Sequence, residues 1–477
     1  MPLLPTSSST IQNPALLTPP TAESSPSHAK RSSSTQYPNH TPIMPSRSEV
    51  AYFGAGPAPL PTPVVEGAAK AFVNFNDAGL GLGEISHRSP TANKILAETK
   101  EALTTLLDVP DNYEILFMQA GGSGEFSAVV YNLVSVWVER RRRKINAAPE
   151  ETLVAELKKQ IEEELKLDYL VTGSWSLKAS QEAARLLGEK YVNVAVDARK
   201  DNGGKFGKIP SEETWNLTKT KKEGGKAAPA FVYFCDNETV DGVEFPSFPK
   251  VLEPNGGDEE DERIVVADMS SNFLSRKVDV SKYGIIFGGA QKNIGVAGIA
   301  VIIIRKDLLP PHTATPPPSL LRQLNIGGLP GPIVLDYATI AKNNSLYNTL
   351  PIFNLWVAGQ VMINLVSLYG AKKVSGQEQI ANTKAQLIYG ALDKYPSVYT
   401  VVPEKDVRSR MNICFRVHGG DADKEKEFAI GAEKRLLQGL KGHRSVGGMR
   451  ASNYNAVPLE NVERLVQYLE DYANGRV

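Results

Sequence analysis

From Tyr52 onward, short wholly apolar runs alternate with stretches whose apolar positions recur every three to four residues. Residues 92–107 place Ala92, Ile95, Leu96, Leu103 and Leu106 at helical spacing, which predicts an amphipathic helix that stops at Val109-Pro110. YEILFM (113–118) predicts a strand, and AGGSGE then opens an apolar helical stretch over 126–137. Further strands are predicted at DYLVT (168–172), VNVAVD (192–197), FVYFC (231–235), RIVVAD (263–268), YGIIF (283–287) and IAVIII (299–304). Several are apolar on both faces, the pattern of a sheet covered by helices on both sides. The segments between them fit crossover helices. The predicted class is therefore α/β, with a large, doubly wound, mostly parallel-sheet domain.

Around residue 375 the pattern changes to long helical segments plus RMNICFRV (410–417), which predicts a smaller C-terminal α+β domain. The expected limits are 62–374 for the large domain and 50–61 with 375–477 for the small one. Residues 1–49 are Ser/Thr/Pro-rich, lack periodic apolar positions, and are expected to be a disordered extension. Two segments look inserted. Residues 139–166 carry Lys158/Glu162 and Lys159/Glu163 pairs opposite a Leu153, Leu157, Ile161, Leu165 stripe, a solvated surface helix. Residues 253–262, EPNGGDEEDE, read as an acidic surface loop.

Charge narrows the partners. The 477 residues hold 53 basic and 53 acidic side chains, so no field of one sign favours nucleic acid or an anionic membrane. No uninterrupted apolar run approaches the ~18–20 residues of a membrane span. The two cysteines, Cys235 and Cys414, make no disulfide framework and suit a reducing compartment. No apolar segment follows a charged start, and Lys30, Arg31 and Arg47 are too few for an Arg-rich mitochondrial presequence. The expected location is cytoplasmic.

The candidate chemistry centres on IIFGGAQKNIGVAG (285–298), where Lys292 stands alone in a stretch that otherwise wants burial. Asp268 ends a buried strand at the edge where open α/β sheets bind ligands. One strand later comes Lys292, so neighbouring parallel strands would bring a carboxylate and an amine to one edge. Gly121, Gly122, Ser123 and Gly124 lie between a strand and a helix, where free N–H groups can meet a phosphate, although a plain tight turn has the same letters. Asp268 alone could equally be a helix cap, and Trp175 alone a core residue. Pyridoxal phosphate needs a lysine, an acid for its pyridine nitrogen and a phosphate cradle together. Trp175 could stack on its ring.

The motifs YFGAGPAPLP, EISHRS, AGGSGEF, TGSW, NETVDGV, ADMSS, GGAQKNIG, LYNTLP and KGHRSVGGMRASNYNA occur in that order from 52 to 456. In these the chain closely resembles the phosphoserine aminotransferases, class V, fold-type I pyridoxal-phosphate enzymes. The resemblance implies that Lys292 forms the Schiff base, Asp268 partners the pyridinium and Trp175 stacks on the ring. It assigns Thr239 to the phenolic oxygen and Gly122, Ser123 and Gln291 to the phosphate. Asn348 and Thr349 would reach that phosphate from the partner subunit of a homodimer. His87, Arg88, His443, Arg444 and Arg450 would bind the anionic substrates, L-glutamate and 3-phosphohydroxypyruvate, with Arg450 on the α-carboxylate. The implied activity is formation of O-phospho-L-serine in serine biosynthesis. Ser123 and Ala55 depart from the family pattern, where arginine and serine are common. An alanine–glyoxylate-type transaminase is the alternative within class V, but it would not need the GHR cluster. A cysteine-desulfurase-like enzyme would need a mobile cysteine, which neither Cys235 nor Cys414 resembles. A catalytically dead interaction protein would not need Lys292, Asp268 and Trp175 together.

Overall fold

Seven strands make the central sheet: β1 (Tyr113–Met118), β2 (Leu167–Val171), β3 (Val192–Asp197), β4 (Phe231–Cys235), β5 (Val265–Asp268), β6 (Ile285–Gly289) and β7 (Ala300–Arg305). Their order is β1-β7-β6-β5-β4-β2-β3 in the computed structural model, which describes residues 45–145, 149–254, 258–259 and 261–477. The expected disordered extension, up to residue 44, and parts of both expected insertions lie outside the described residues. Ser46–Glu49 do not: Arg47 Nη2 donates to Leu60 O at 2.6 Å, so the packed body takes in residues assigned above to the extension.

Alternation along each strand splits its apolar residues between two cores. In β1, Ile115 and Phe117 enter one core while Leu116 and Met118 enter the other. In β7, Val301 and Ile303 oppose Ala300, Ile302 and Ile304 in the same way. Runs that are apolar on both faces are thus the signature of a sheet with a core on each side. Helices α1 (Pro90–Leu107), α2 (Gly121–Arg142), α3 (Glu150–Glu164), α4 (Ser174–Leu187) and α5 (Ile352–Tyr369) cover the sheet. Ser89 opens α1 by accepting from Ala92 N at 3.1 Å, with Pro90 in the first turn.

The sheet is mostly parallel, as expected, and three features refine that picture, the second of them correcting the expected crossover helices. β7 runs antiparallel to both β1 and β6. The segment 290–299 is shorter than the roughly dozen residues or more of a parallel crossover, so the chain turns straight back. Among the described residues the links β3–β4, β4–β5 and β5–β6 carry no α-helix, only 3₁₀ turns and a small ladder of Asn237–Glu238 with Val243–Glu244. Finally, α5 is long and apolar enough to cross a membrane by composition. In the structure its Leu355, Ala358, Met362 and Leu365 enter a core that also holds Leu96 and Leu103 of α1.

Beyond α5, helix α6 (Lys373–Lys394) leads to a three-stranded antiparallel sheet of β8 (Tyr399–Val401), β9 (Asn412–Val417) and β10 (Met449–Ser452), ordered β8-β9-β10. Helices α7 (Ala422–Lys434) and α8 (Leu459–Ala473) share its core, with Phe428, Leu465 and Leu469 packed near Phe415. Ala51–Tyr52 pair in parallel with Leu437–Gln438, which joins the start of the packed chain to this region.

Candidate active site

Asp268 and Lys292 reach one cavity because β5 and β6 are parallel neighbours, with Asp268 in register with Phe287. The cavity, about 250 Å³, opens at the C-terminal ends of the strands, where β4 and β5 deliver their last residues and the loop after β6 delivers Gln291 and Lys292. Lys292 follows β6 in the loop that turns back to β7, closed by Ala290 N donating to Ile299 O at 3.0 Å.

Asp268 is 4% exposed. Its Oδ1 accepts from Ser270 N at 2.8 Å, and Tyr233 OH donates to Oδ2 at 3.4 Å. Burial raises its pKa, while the Ser270 hydrogen bonds and the charge of Lys292 pull it back. Lys292 is 9% exposed, and its Nζ donates to Thr239 Oγ1 at 2.6 Å. Loss of water lowers its pKa to about 8 against the opposing pull of Asp268. A single carboxylate thus faces a single, easily deprotonated amine.

The walls come from distant segments. Gly122 and Ser123 line the cavity from the first turn of α2, so a helix N-terminus, the kind of backbone end that suits an anion, forms part of its wall. Ser270 Oγ accepts from Gly289 N at 3.0 Å, and a Cβ on Gly289 would stand 2.5 Å from Gln291 Oε1. Glycine at 289 therefore makes the room into which Gln291 folds. Trp175, near the start of α4, is half-buried, and its indole Nε1 is buried without a partner. Arg450 on β10 is 8% exposed and donates from Nη1 to Thr239 O at 3.0 Å. His443 also lines the cavity, with its pKa lowered by burial and by the charges of Arg450, Lys178 and Arg444.

Within one chain the cavity thus gathers Gly122, Ser123, Trp175, Thr239, Asp268, Gln291, Lys292, His443 and Arg450. It does not gather Arg444, His87, Arg88, Asn348 or Thr349. Arg444 and Arg88 are exposed, and His87 is half-buried. Asn348 Nδ2 donates to Gln119 Oε1 at 2.7 Å, and Thr349 O accepts from Gln119 Nε2. Ser270, Ser271 and Asn237 line the cavity without having been singled out as site residues. Their signal lay in the letters beside Asp268 and Thr239, in ADMSS and NETVDGV.

The chain that carries this site is similar to known proteins over most of its length. Aminotransferase class-V, as a family description, matches residues 50–168 and 169–465. The chain belongs to the class V aminotransferases. Phosphoserine aminotransferase of Saccharomyces cerevisiae is 43% identical over 428 residues, which cover 90% of this chain and 98% of the relative. That of Drosophila melanogaster is 40% identical, covering 90% and 100%. Among solved structures, phosphoserine aminotransferase from Bacillus circulans subsp. alkalophilus is 33% identical with a TM-score of 0.71, covering 90% of this chain and 99% of that one. The PLP-bound phosphoserine aminotransferase from Trichomonas vaginalis is 33% identical with a TM-score of 0.69, covering 88% and 99%. This class V aminotransferase therefore sits in the phosphoserine aminotransferase family by sequence as well as by fold.

Proposed function

We propose that this aminotransferase moves the amino group of L-glutamate to 3-phosphohydroxypyruvate, giving 2-oxoglutarate and O-phospho-L-serine for L-serine biosynthesis. Pyridoxal 5'-phosphate is its cofactor. The carrying observation is the delivery of Lys292 and Asp268 by adjacent parallel strands into one cavity that also holds Arg450.

The residues present fit that cofactor. A buried amine whose hydrogen bond among the described residues goes to the Thr239 hydroxyl, not to a carboxylate, is available to a carbonyl carbon. Asp268, held by Ser270 N, supplies an acceptor for a ring N–H. The amides of α2, with Ser123 and Gln291, suit a phosphate. Pyridoxal phosphate contributes an electron sink that lets a proton leave the substrate Cα.

This chain's residues do the rest. Lys292, with its lowered pKa, takes the Cα proton as a base and returns it as an acid. The carboxylate of Asp268 holds the ring nitrogen in its protonated form. Trp175 covers one ring face and keeps water from it. Thr239 stands within hydrogen-bond reach of Lys292 and orients the phenolic oxygen side. The guanidinium of Arg450, steadied by Thr239 O, takes the α-carboxylate in a two-pronged contact. His443, Arg444, His87 and Arg88 read the distal carboxylate or phosphate.

A second copy of the chain is the source we assign to Asn348 and Thr349, and to His87 and Arg88, none of which lines the cavity of its own chain. The working form is then a homodimer. We place it in the cytoplasm, where the free, buried thiols of Cys235 and Cys414 stay reduced.

A coupled assay tests the reading. The wild-type chain should use 3-phosphohydroxypyruvate at least about 100-fold better in kcat/KM than unphosphorylated hydroxypyruvate, since charge-assisted contacts are lost with the phosphate. Lys292→Ala should abolish turnover. Equal rates on the two acceptors, or turnover that survives Lys292→Ala, would overturn it.

A further inference from the structure

We propose that Glu238 is the positioning residue for Trp175, fixing the indole wall relative to Lys292 by gripping the backbone at the start of α4. Glu238 is fully buried. Its Oε2 accepts from Trp175 N at 2.8 Å, and its Oε1 accepts from Ser176 N at 2.9 Å and from Ser176 Oγ at 2.6 Å. Three residues on, Asp241 Oδ2 accepts from Ser174 N at 2.7 Å. The amides of Ser174, Trp175 and Ser176 are therefore held by carboxylates from one distant hairpin, while Ser176 Oγ accepts from Gly173 N at 3.2 Å.

The usual device for this task is a Ser, Thr, Asp or Asn at the N-cap. Gly173 stands there instead. Its φ of −167° is ordinary extended backbone, so the conformation does not ask for glycine. Space does: a Cβ at Gly173 would lie 2.3 Å from Glu238 Cδ. The N-cap position has given up its own side chain to admit a remote carboxylate, and the local cap that remains is Ser176 Oγ on the amides of Thr172 and Gly173. Burying two carboxylates side by side is a costly way to end a helix if stability were the only gain.

What the remote carboxylate adds is registry. Thr239, the residue after Glu238, contacts Lys292 through its hydroxyl and Arg450 through its carbonyl. One short loop thereby fixes the ring wall, the reacting amine and the carboxylate-binding arginine together. Among the described residues the indole Nε1 is buried without a hydrogen-bond partner, and the ring's own polar contact is the exposed Lys178, whose Nζ stands 4.3 Å from its centroid. The backbone amide of Trp175 is the handle.

The inference rests on the function proposed above, and its test separates the two. Glu238→Gln keeps the shape but has one acceptor oxygen. If that oxygen keeps the two Ser176 bonds, the amide NH₂ faces Trp175 N–H. Glu238→Gln, Trp175→Phe and the double variant form a cycle, read by titrating the apo-protein with pyridoxal phosphate and by kcat/KM. Glu238→Gln should weaken cofactor affinity about 10-fold in the wild-type background and less than about 2-fold beside Trp175→Phe. Gly173→Ala, which displaces the same carboxylate without removing it, should repeat the pattern. Equal losses in both backgrounds, no loss at all, or insolubility of both Glu238→Gln and Gly173→Ala would mark Glu238 as a plain stabilising cap and overturn the proposal. A wild-type chain that binds the cofactor but does not transaminate would instead overturn the function and leave the binding cycle readable.

Discussion

Burial decides the protonation of Lys292. The same water exclusion that gives the cavity its chemistry lowers the amine to about 8, with the charge of Asp268 working against the shift. Below that value the folded apo-protein presents an ammonium, which cannot attack a carbonyl; above it the amine is free. The second-order rate of pyridoxal phosphate uptake, followed by visible absorbance, should rise with pH and level off just above about 8. A rate that keeps climbing toward the ordinary lysine value, ~10.4, would show that the cavity does not depress this group. Lys292 and Asp268 were legible in the sequence because each is marked by a local conflict or a strand end. Glu238 and Ser270 were not, since their meaning comes from partners far along the chain. Arg444 follows His443 directly, yet of these two it is His443 that lines the cavity of its own chain.

The strands were legible as elements because each buries alternating residues in two separate cores. The connections were not, since an apolar run does not reveal which way the chain returns. Where the described residues join β4, β5 and β6 without an α-helix, a buried polar network takes over the packing. Arg276 donates from Nη2 to both Asp236 oxygens at 2.6 Å and from Nη1 to Phe245 O at 2.6 Å. Asn272 Nδ2 bridges Asp236 Oδ2 at 2.6 Å and Glu244 Oε1 at 3.0 Å, and Arg410 Nη2 reaches Glu244 Oε1 at 2.6 Å. The side chain of Asp236 is 1% exposed and that of Arg276 11%. Arg276→Met leaves Asp236 buried without its cation, so unfolding in urea should show a loss of about 3–5 kcal/mol. Adding Asp236→Asn should recover part of it. A single-variant loss under about 1 kcal/mol would mean that water reaches Asp236 after all.

At the scale of the whole molecule, the segment after β10 must keep Arg450 aligned with a cavity built by the other sheet, and one buried lysine helps to hold it. Lys384 of α6, fully buried, donates from Nζ to Tyr454 O at 2.9 Å and to Val457 O at 2.8 Å. Tyr454 OH in turn donates to Ala55 O at 2.8 Å, and Ala55 lines the cavity. Burial pushes Lys384 down to about 7, with no carboxylate opposing it. An unfolded lysine keeps its ordinary value of ~10.4, so between about 7 and that value the unfolded chain binds more protons than the folded one. Stability from this group therefore rises with pH across that window and is flat below it. Lys384→Met removes the titration and leaves two carbonyls without their donor, at a cost of about 1–3 kcal/mol each. The wild-type advantage in urea unfolding should accordingly be largest at pH 9, shrink toward about pH 7 and change little from there to pH 6. The comparison cancels Lys292, which both chains share. An advantage that stays constant, or grows as the pH falls, would show that Lys384 is held as a charged group and that its carbonyl partners, not its burial, set its protonation.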